Sequence, residues 1–465
     1  MVPLTLREVA DVIGAATAPT GSVTGEVRID SRHVGPGDLF VALPGEHVDG
    51  HGYAEAAVRA GAAAVLVERA TTSRDLLVPD ALQGLQDLSR RVFGVDQPLT
   101  FGITGSSGKT STKDLLAQVL AGFGETLAPA GSFNNEIGLP LTATRRTATT
   151  RYAALEYSAR GIGHIAFLCG IVRPDVALVL NVGSAHLGEF GSVDNIAVAK
   201  GELVAAAGRL AVLNADDRLV AAMAARTAGD VVTFGRGAAA DYRAEDVDVD
   251  DEGRPSFTLH APHGSAPVRL QVRGEHQASN ALAVATAVLA AGVTKDVQRV
   301  AELLGQAVPV SRWRMDVTER ADGVTVVNDA YNANPESMRA ALKTLAVMSR
   351  GKQRRTWAVL GQMAELGDDA RAAHMDLGRF VVRLDVSRLV VIGPEAGGIH
   401  AGAVLEGSWG KESVHVDDVD AAVALLRDEV APGDVVLVKA SRAAGLERVA
   451  AALLGERPTT TAGPR

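Results

Sequence analysis

The chain has 465 residues, of which 47% are apolar and 22% charged, with a formal net charge of −9 and one cysteine, Cys169. That length is too great for one hydrophobic core and predicts about three domains of roughly 150 residues each. The lone cysteine, read as a buried core thiol, excludes an internal disulfide framework and suits a reducing compartment. The acidic balance disfavours a broad nucleic-acid-binding face. No apolar run approaches the ~18 residues that span a bilayer, and the opening MVPLTLREVADVIG lacks a secretory pattern. A cytoplasmic protein with no membrane or nucleic-acid partner is expected.

In chain order, residues 1–96 mix short strands (Val27 to Ile29, Leu39 to Leu43, Ala64 to Val67) with one helix near Tyr53 to Ala60, and end at Asp96-Gln97-Pro98. From 97 to 309, strands at Thr100 to Thr104, Tyr152 to Glu156, Val176 to Asn181 and Leu210 to Asn214 alternate with helical stretches, the pattern of a doubly wound, mainly parallel α/β sheet. The acidic stretch Asp241 to Arg254 reads as antiparallel strands or a surface loop, and a helix runs from about Gln277 to Ala291. A second α/β series over 310–455, with strands at Val324 to Asn328, Thr356 to Leu360, Leu389 to Ile392 and Val435 to Val438, predicts a Rossmann-like third domain. The Thr/Pro/Gly-rich tail 456–465 reads as disordered. The fold class is therefore α/β in three domains, with a small first domain and a central P-loop domain.

The most informative segment is FGITGSSGKTSTKDLL, Phe101 to Leu116. A strand runs into a glycine-bounded turn and then a helix beginning at Lys109, so backbone N–H groups and the positive end of a helix dipole converge on one point. The match is GxxGKT, shorter than the standard P-loop, because Ile103 stands where that pattern wants glycine. Lys109 is expected to reach the β/γ-phosphates and the Thr110 hydroxyl to ligate Mg²⁺.

Other candidates fall at strand ends facing this cradle, where doubly wound sheets bind ligands. Glu156 closes its strand as a candidate Mg²⁺ ligand. His186, in NVGSAHLGEFGS, is flanked by glycines; taken alone it reads as a satisfied structural histidine rather than a ligand. Lys200, in IAVAKGEL, reads as a solvated lysine or a phosphate contact.

The order of these pieces resembles the Mur ligases, ATP-dependent amide-forming enzymes of peptidoglycan precursor synthesis. The resemblance covers nearly the whole chain through DSRHVGPGDLFVALPGEHVDGHGY, TGSSGKTSTK, FNNEIGLPLT, NVGSAHLGEFGS, AKGEL, GEHQASNALA, NDAYNANPESM, VLGQMAELG and VKASRAAGLERV. Within the family, NNEIG, DAYNANP and the KASR segment point to the branch that adds D-Ala-D-Ala to UDP-N-acetylmuramoyl-tripeptide, rather than to the branch adding the third amino acid or to folylpolyglutamate synthetase-like ligases.

The resemblance implies that Thr104, Gly105, Ser106, Ser107, Gly108, Lys109, Thr110 and Ser111 cradle ATP, with Asn280, Arg312, Asp329, Tyr331 and Asn332 around its adenosine side and γ-phosphate. It implies two Mg²⁺ ions, one on Thr110 and Glu156, the other on His186 and a CO₂-derived carbamate of Lys200. Lys109, His186 and Lys200 are the implied catalytic groups. Ser31 and Arg32 match a UDP-proximal motif, Asn134 and Asn135 a muramoyl-peptide segment, and Lys439 and Arg442 the D-Ala-D-Ala region; a monomer is the family expectation. Three departures stand out: Tyr157-Ser158 after the glutamate, where Met-Gly is commoner, GEHQ for Gly-x-His-Asn, and Ala440 where the family usually has glycine. A P-loop binding protein without ligase activity is the rival reading; the chain lacks a guanine-recognition Asn-Lys-x-Asp.

Overall fold

The structure, a computed structural model, describes residues 1–456 apart from 46–47, 130, 186, 351–353, 409 and 411. The expected ligand His186, and the tail beyond Glu456, lie outside the described residues.

The amino-terminal elements form a two-stranded antiparallel pair, Leu4–Thr5 with Ser22–Val23, and a four-stranded parallel sheet in the order Val27–Arg28, Leu39–Val41, Ala64–Val67, Asp75–Leu77. Two helices not anticipated from the sequence cover it, Leu6–Ile13 and Ala81–Gly94. Both had local signals: Thr5 and Glu8 form a reciprocal capping box, and the Asp80 carboxylate accepts from Gln83 N. The helix expected near Tyr53 to Ala60 is present as Ala54–Arg59, preceded by a short turn over Gly50–Tyr53.

The central sheet has nine strands. Its order is Gly264–Arg269, Pro255–Ala261, Tyr242–Val249, Asp230–Gly235, Leu210–Asn214, Val176–Val179, Leu99–Thr104, Tyr152–Glu156, Thr126–Leu127. All pairings are parallel except the two made by Pro255–Ala261. The acidic stretch is therefore a strand that continues this sheet and turns back antiparallel. Strands buried on both faces need apolar side chains throughout, and alternate residues serve opposite layers. Phe101, Ile103, Leu178 and Val212 pack with helices Lys109–Ala121 and His276–Ala290, while Leu155, Val179 and Leu213 pack with helices His164–Ile171 and Val193–Ala206. Cys169 is buried in the second layer, as expected.

The carboxy-terminal sheet has six strands in the order Asp316–Glu319, Thr325–Asn328, Val435–Lys439, Thr356–Leu360, Arg388–Ile392, Ser413–Val416, parallel except for the first pair. Between the last helix packed on the central sheet, Val297–Gln306, and the strand opening at Asp316 lies a linker over residues 307–315.

Candidate active site

The Leu99–Thr104 strand lies between Val176–Val179 and Tyr152–Glu156, where the sheet order reverses, so its carboxyl end opens into a crevice. The phosphate-binding turn sits there. Gly108 has φ +81°, and a Cβ on it would meet Asn280 Oδ1 at 2.8 Å, so both the turn and the close approach of Asn280 require glycine. Asn280 is held by a hydrogen bond from its Nδ2 to Gln277 Oε1 (2.9 Å), which gives a use to the unusual GEHQ glutamine. The turn is stapled to the neighbouring strand end: Ser107 N donates to Asn181 Oδ1 (2.9 Å), and Gly183 N donates to Ser106 Oγ (2.9 Å).

Lys109 Nζ donates to Gly105 O (2.7 Å) across the turn. The protein around it pulls its ammonium down to about 8, chiefly by desolvation, with Arg314 lowering it further and Glu156 opposing. Thr110 is buried, and its Oγ1 is 2.9 Å from Ser132 Oγ and donates to Glu156 Oε2 at 3.3 Å. Glu156 is 0% exposed; Asn134 Nδ2 also donates to its Oε2 (3.3 Å), whereas its Oε1 has no hydrogen-bond partner. A buried carboxylate oxygen left without a partner is costly unless a cation meets it. The donor set, one carboxylate and one hydroxyl beside a phosphate cradle, fits Mg²⁺, which takes few protein ligands and completes its shell with phosphate oxygens and water. No group of three or more His, Cys, Asp or Glu that could hold a metal occurs among the described residues.

Lys200 is not a solvated surface lysine. It lies on the Val193–Ala206 helix with 7% of its surface exposed, and burial, with Lys109 adding repulsion, holds its amine well below the usual lysine range.

The carboxy-terminal unit reaches into this crevice. Asn334 Nδ2 donates to Ser106 O (3.4 Å), the Glu336 carboxylate accepts from Ser184 N (3.0 Å) and Ser184 Oγ (3.0 Å), and Gly188 N donates to Glu365 O (3.1 Å). Gly188 approaches so closely that a Cβ there would lie 2.9 Å from Gly367 N.

One basic residue absent from the sequence-derived set stands out. Arg314 Nη2 donates to Ser132 Oγ (3.0 Å), its guanidinium lies over the Tyr331 ring at 4.1 Å, and its buried Nε has no partner. It is flanked by two bulky residues in the left-handed region, Trp313 (φ 60°) and Met315 (φ 50°), a costly pair of conformations. The neighbouring motif enforces them: Tyr331 N donates to Trp313 O (3.2 Å) and Met315 N donates to Asp329 Oδ1 (3.0 Å). Arg312, the arginine singled out from sequence, instead lines a separate cavity with Trp313, Asp316, Glu447 and Arg448. In a run reading Ser-Arg-Trp-Arg-Met the spacing alone does not tell the two arginines apart.

The remaining sequence candidates are dispersed. Asp329 Oδ2 pairs with buried Lys439 at 2.7 Å, and Lys439 Nζ also donates to Asn332 O (2.9 Å), so Lys439 braces the DAYNANP turn. Arg442 lies over Trp313 at 4.4 Å and pairs with Glu447 at 2.8 Å. Asn135 Oδ1 accepts from Gly138 N (2.8 Å) at the start of the Gly138–Thr144 helix. Ser31 and Arg32 lie on a short turn in the amino-terminal unit, where Arg32 forks onto Asp30 and holds its carboxyl down to about 2.

A phosphate-binding turn at a topological switch point, a buried carboxylate and hydroxyl beside it, and a third unit closing over both define a nucleotide-dependent P-loop enzyme. Three family models cover most of the chain: "Mur ligase family, catalytic domain" over residues 25–92, "Mur ligase middle domain" over 103–288 and "Mur ligase, glutamate ligase domain" over 313–442. The chain belongs to the Mur ligase family. It is 49% identical, over 98% of both chains, to the UDP-N-acetylmuramoyl-tripeptide–D-alanyl-D-alanine ligase of Mycobacterium bovis, and 34% identical to that of Escherichia coli over 97% of this chain and 99% of that one. Among solved structures it resembles MurF from Acinetobacter baumannii (TM-score 0.85, 30% identity, 98% and 99% covered). It also resembles MurF from Thermotoga maritima in complex with ADP (TM-score 0.78, 32% identity, 93% and 98% covered).

Proposed function

We propose that this protein joins D-Ala-D-Ala to the terminal carboxylate of UDP-N-acetylmuramoyl-tripeptide at the expense of ATP, completing the cytoplasmic peptidoglycan precursor. The observation that carries the reading is the convergence of Lys109, Thr110, Glu156 and Arg314 on one phosphate cradle, in a chain whose full length matches ligases of that name.

The P-loop backbone and Lys109 hold the triphosphate, with Asn280 and Asp329 at its adenosine side or γ-phosphate and Tyr331 and Asn332 nearby, Tyr331 beneath the Arg314 guanidinium. Thr110 and Glu156 would hold one Mg²⁺, and Lys200, as a carbamate, a second together with His186. Bound there, the metals would supply neutralisation of the negative charge on the γ-phosphate and the substrate carboxylate. The carboxylate attacks the γ-phosphorus, giving an acyl phosphate and ADP; the D-Ala-D-Ala amine attacks the acyl carbon, and inorganic phosphate leaves. No protein nucleophile is needed, so placement and charge carry the rate. Arg314 brings a guanidinium from the third unit to the phosphate side of the site, and the contacts of Asn334, Glu336 and Glu365 close that unit over the crevice, keeping water from a hydrolysable intermediate. Three units divided near residues 96 and 309 and acting as a monomer complete the reading; Ser31 and Arg32 face UDP, Asn134 and Asn135 the muramoyl-peptide.

Lys439 and Arg442, engaged with Asp329 and Glu447, shape the D-Ala-D-Ala region through those partners. The test is phosphate release from MgATP with UDP-muramoyl-tripeptide and D-Ala-D-Ala, against UDP-muramoyl-dipeptide with diaminopimelate or lysine. Release and pentapeptide formation with the first pair alone support the reading; activity with the second pair alone moves the protein to the third-residue branch, and silence with both favours a binding protein.

A further inference from the structure

The P-loop helix, Lys109–Ala121, does more than end in a phosphate cradle: its side chains grip two segments that arrive from elsewhere in the chain. Lys113, 1% exposed, donates from Nζ to Pro129 O (2.8 Å) and Gly131 O (3.3 Å), immediately before Ser132. Its neighbour Asp114 pairs with it through Oδ1 at 2.5 Å, while Asp114 Oδ2 accepts from Ser311 N (3.1 Å) in the linker. One turn further on, the Gln118 carboxamide makes a two-point clamp on one linker residue, donating from Nε2 to Val308 O (2.9 Å) and accepting at Oε1 from Val308 N (3.0 Å). The two gripped segments then meet at the cradle, where Arg314 donates to Ser132 Oγ and Ser132 Oγ contacts Thr110 Oγ1.

The contacts thus form a closed ring, Ser132, Gly131, Lys113, Asp114, Ser311, Arg314 and back to Ser132, with Thr110 joined to it at Ser132. A lysine and an aspartate buried together are costly in water-free surroundings unless their remaining hydrogen-bonding capacity is met, and here it is met by the backbone of the two segments to be placed. We propose that Asp114, braced by Lys113 and assisted by Gln118, is a positioning residue that fixes the linker so that Arg314 faces the γ-phosphate side of the cradle. This rests on the ATP-dependent ligase reading above and adds a coupling between the P-loop helix and the third unit. Because Arg314 is aimed at the γ-phosphate and not at the nucleoside, loss of Asp114 slows turnover while leaving ADP binding in place.

The test is a double-mutant cycle in the full-length protein with ATP, UDP-muramoyl-tripeptide and D-Ala-D-Ala: wild type, Asp114→Ala, Arg314→Ala and the double variant. Asp114→Ala is expected to lower kcat at least about tenfold, to keep ADP affinity within about twofold, and to cost less than about twofold further once Arg314 is already alanine. Losses that multiply, a wild-type kcat in Asp114→Ala, or ADP affinity falling in step with kcat overturn the proposal. If Asp114→Ala fails to fold, Gln118→Ala decides in the same cycle, since it frees the linker while leaving both side chains of the buried pair in place; multiplicative losses there overturn the proposal equally. The wild-type arm separates the two layers: absence of ligation in wild type removes the functional reading itself, whereas normal ligation with a multiplicative cycle removes only the positioning role.

Discussion

Arg314 and Ser132, 182 residues apart, share a 3.0 Å hydrogen bond that ties the carboxy-terminal unit to the hydroxyl next to Thr110. Arg314 stands with its Nε unpartnered, and the ring it covers, Tyr331, belongs to the same unit. A half-buried guanidinium in that state is suited to meet an anion delivered to the cradle.

Replacing Arg314 by alanine is therefore expected to lower kcat by about 10²-fold or more, the scale of losing one preorganised donor to developing charge. Arg312→Ala, whose side chain lines another cavity, should cost much less. Steady-state kinetics on the two variants checks this, and equal losses would contradict the placement. Lys109→Ala should abolish ligation with the fold intact by circular dichroism.

Glu156→Gln addresses the metal. Its Oε1 is buried without a partner, so neutralising the carboxylate removes a ligand while relieving an unsatisfied charge. The Mg²⁺ concentration for half-maximal activity should rise at least about tenfold, with no fall in the thermal midpoint of the ligand-free protein. An unchanged Mg²⁺ requirement would tell against Glu156 as a ligand.

Glu336 holds the third unit against the central one through Ser184. Glu336→Ala removes an exposed charged acceptor with two donors, worth on the order of 0.5–1.5 kcal/mol, which is enough to shift the balance toward open arrangements. Small-angle scattering should show a larger radius of gyration without ligands, and KM for the substrates should rise. A scattering curve identical to wild type would mean the contact does not control closure.

Burial pushes the Cys169 thiol up to about 12. Thiolate is the nucleophile, so at pH 8 the native protein should resist iodoacetamide and become reactive only as the pH climbs toward 12 or on unfolding. Rapid native alkylation at pH 8, measured by mass spectrometry, would contradict a buried core thiol.

The cradle was legible because glycine spacing, lysine and threonine are consecutive in the chain, and Gly108 has a physical reason to be glycine. The parallel strands were legible because burial on both faces leaves uninterrupted apolar runs such as Val176–Val179. Helices Leu6–Ile13 and Ala81–Gly94 are legible only in their starts, which Thr5, Glu8 and Asp80 carry, because their apolar faces emerge only against the assembled sheet. Arg314 was not legible, because what distinguishes it from Arg312 is the left-handed pair at Trp313 and Met315, and these depend on partners in a motif at Asp329 and Tyr331. Lys200 was ambiguous for a similar reason: a lysine on a helix reads as solvated until the sheet beneath it is assembled.

The central claim, acyl activation by ATP in this crevice, is tested most directly by following oxygen. UDP-muramoyl-tripeptide labelled with ¹⁸O in its terminal carboxylate is incubated with MgATP, D-Ala-D-Ala and the purified protein, and the released phosphate is analysed by mass spectrometry. Transfer of one ¹⁸O into phosphate, matched to pentapeptide formed, is the predicted result, since the carboxylate oxygen that attacks phosphorus leaves with it. Phosphate free of label alongside pentapeptide would contradict the acyl-phosphate account.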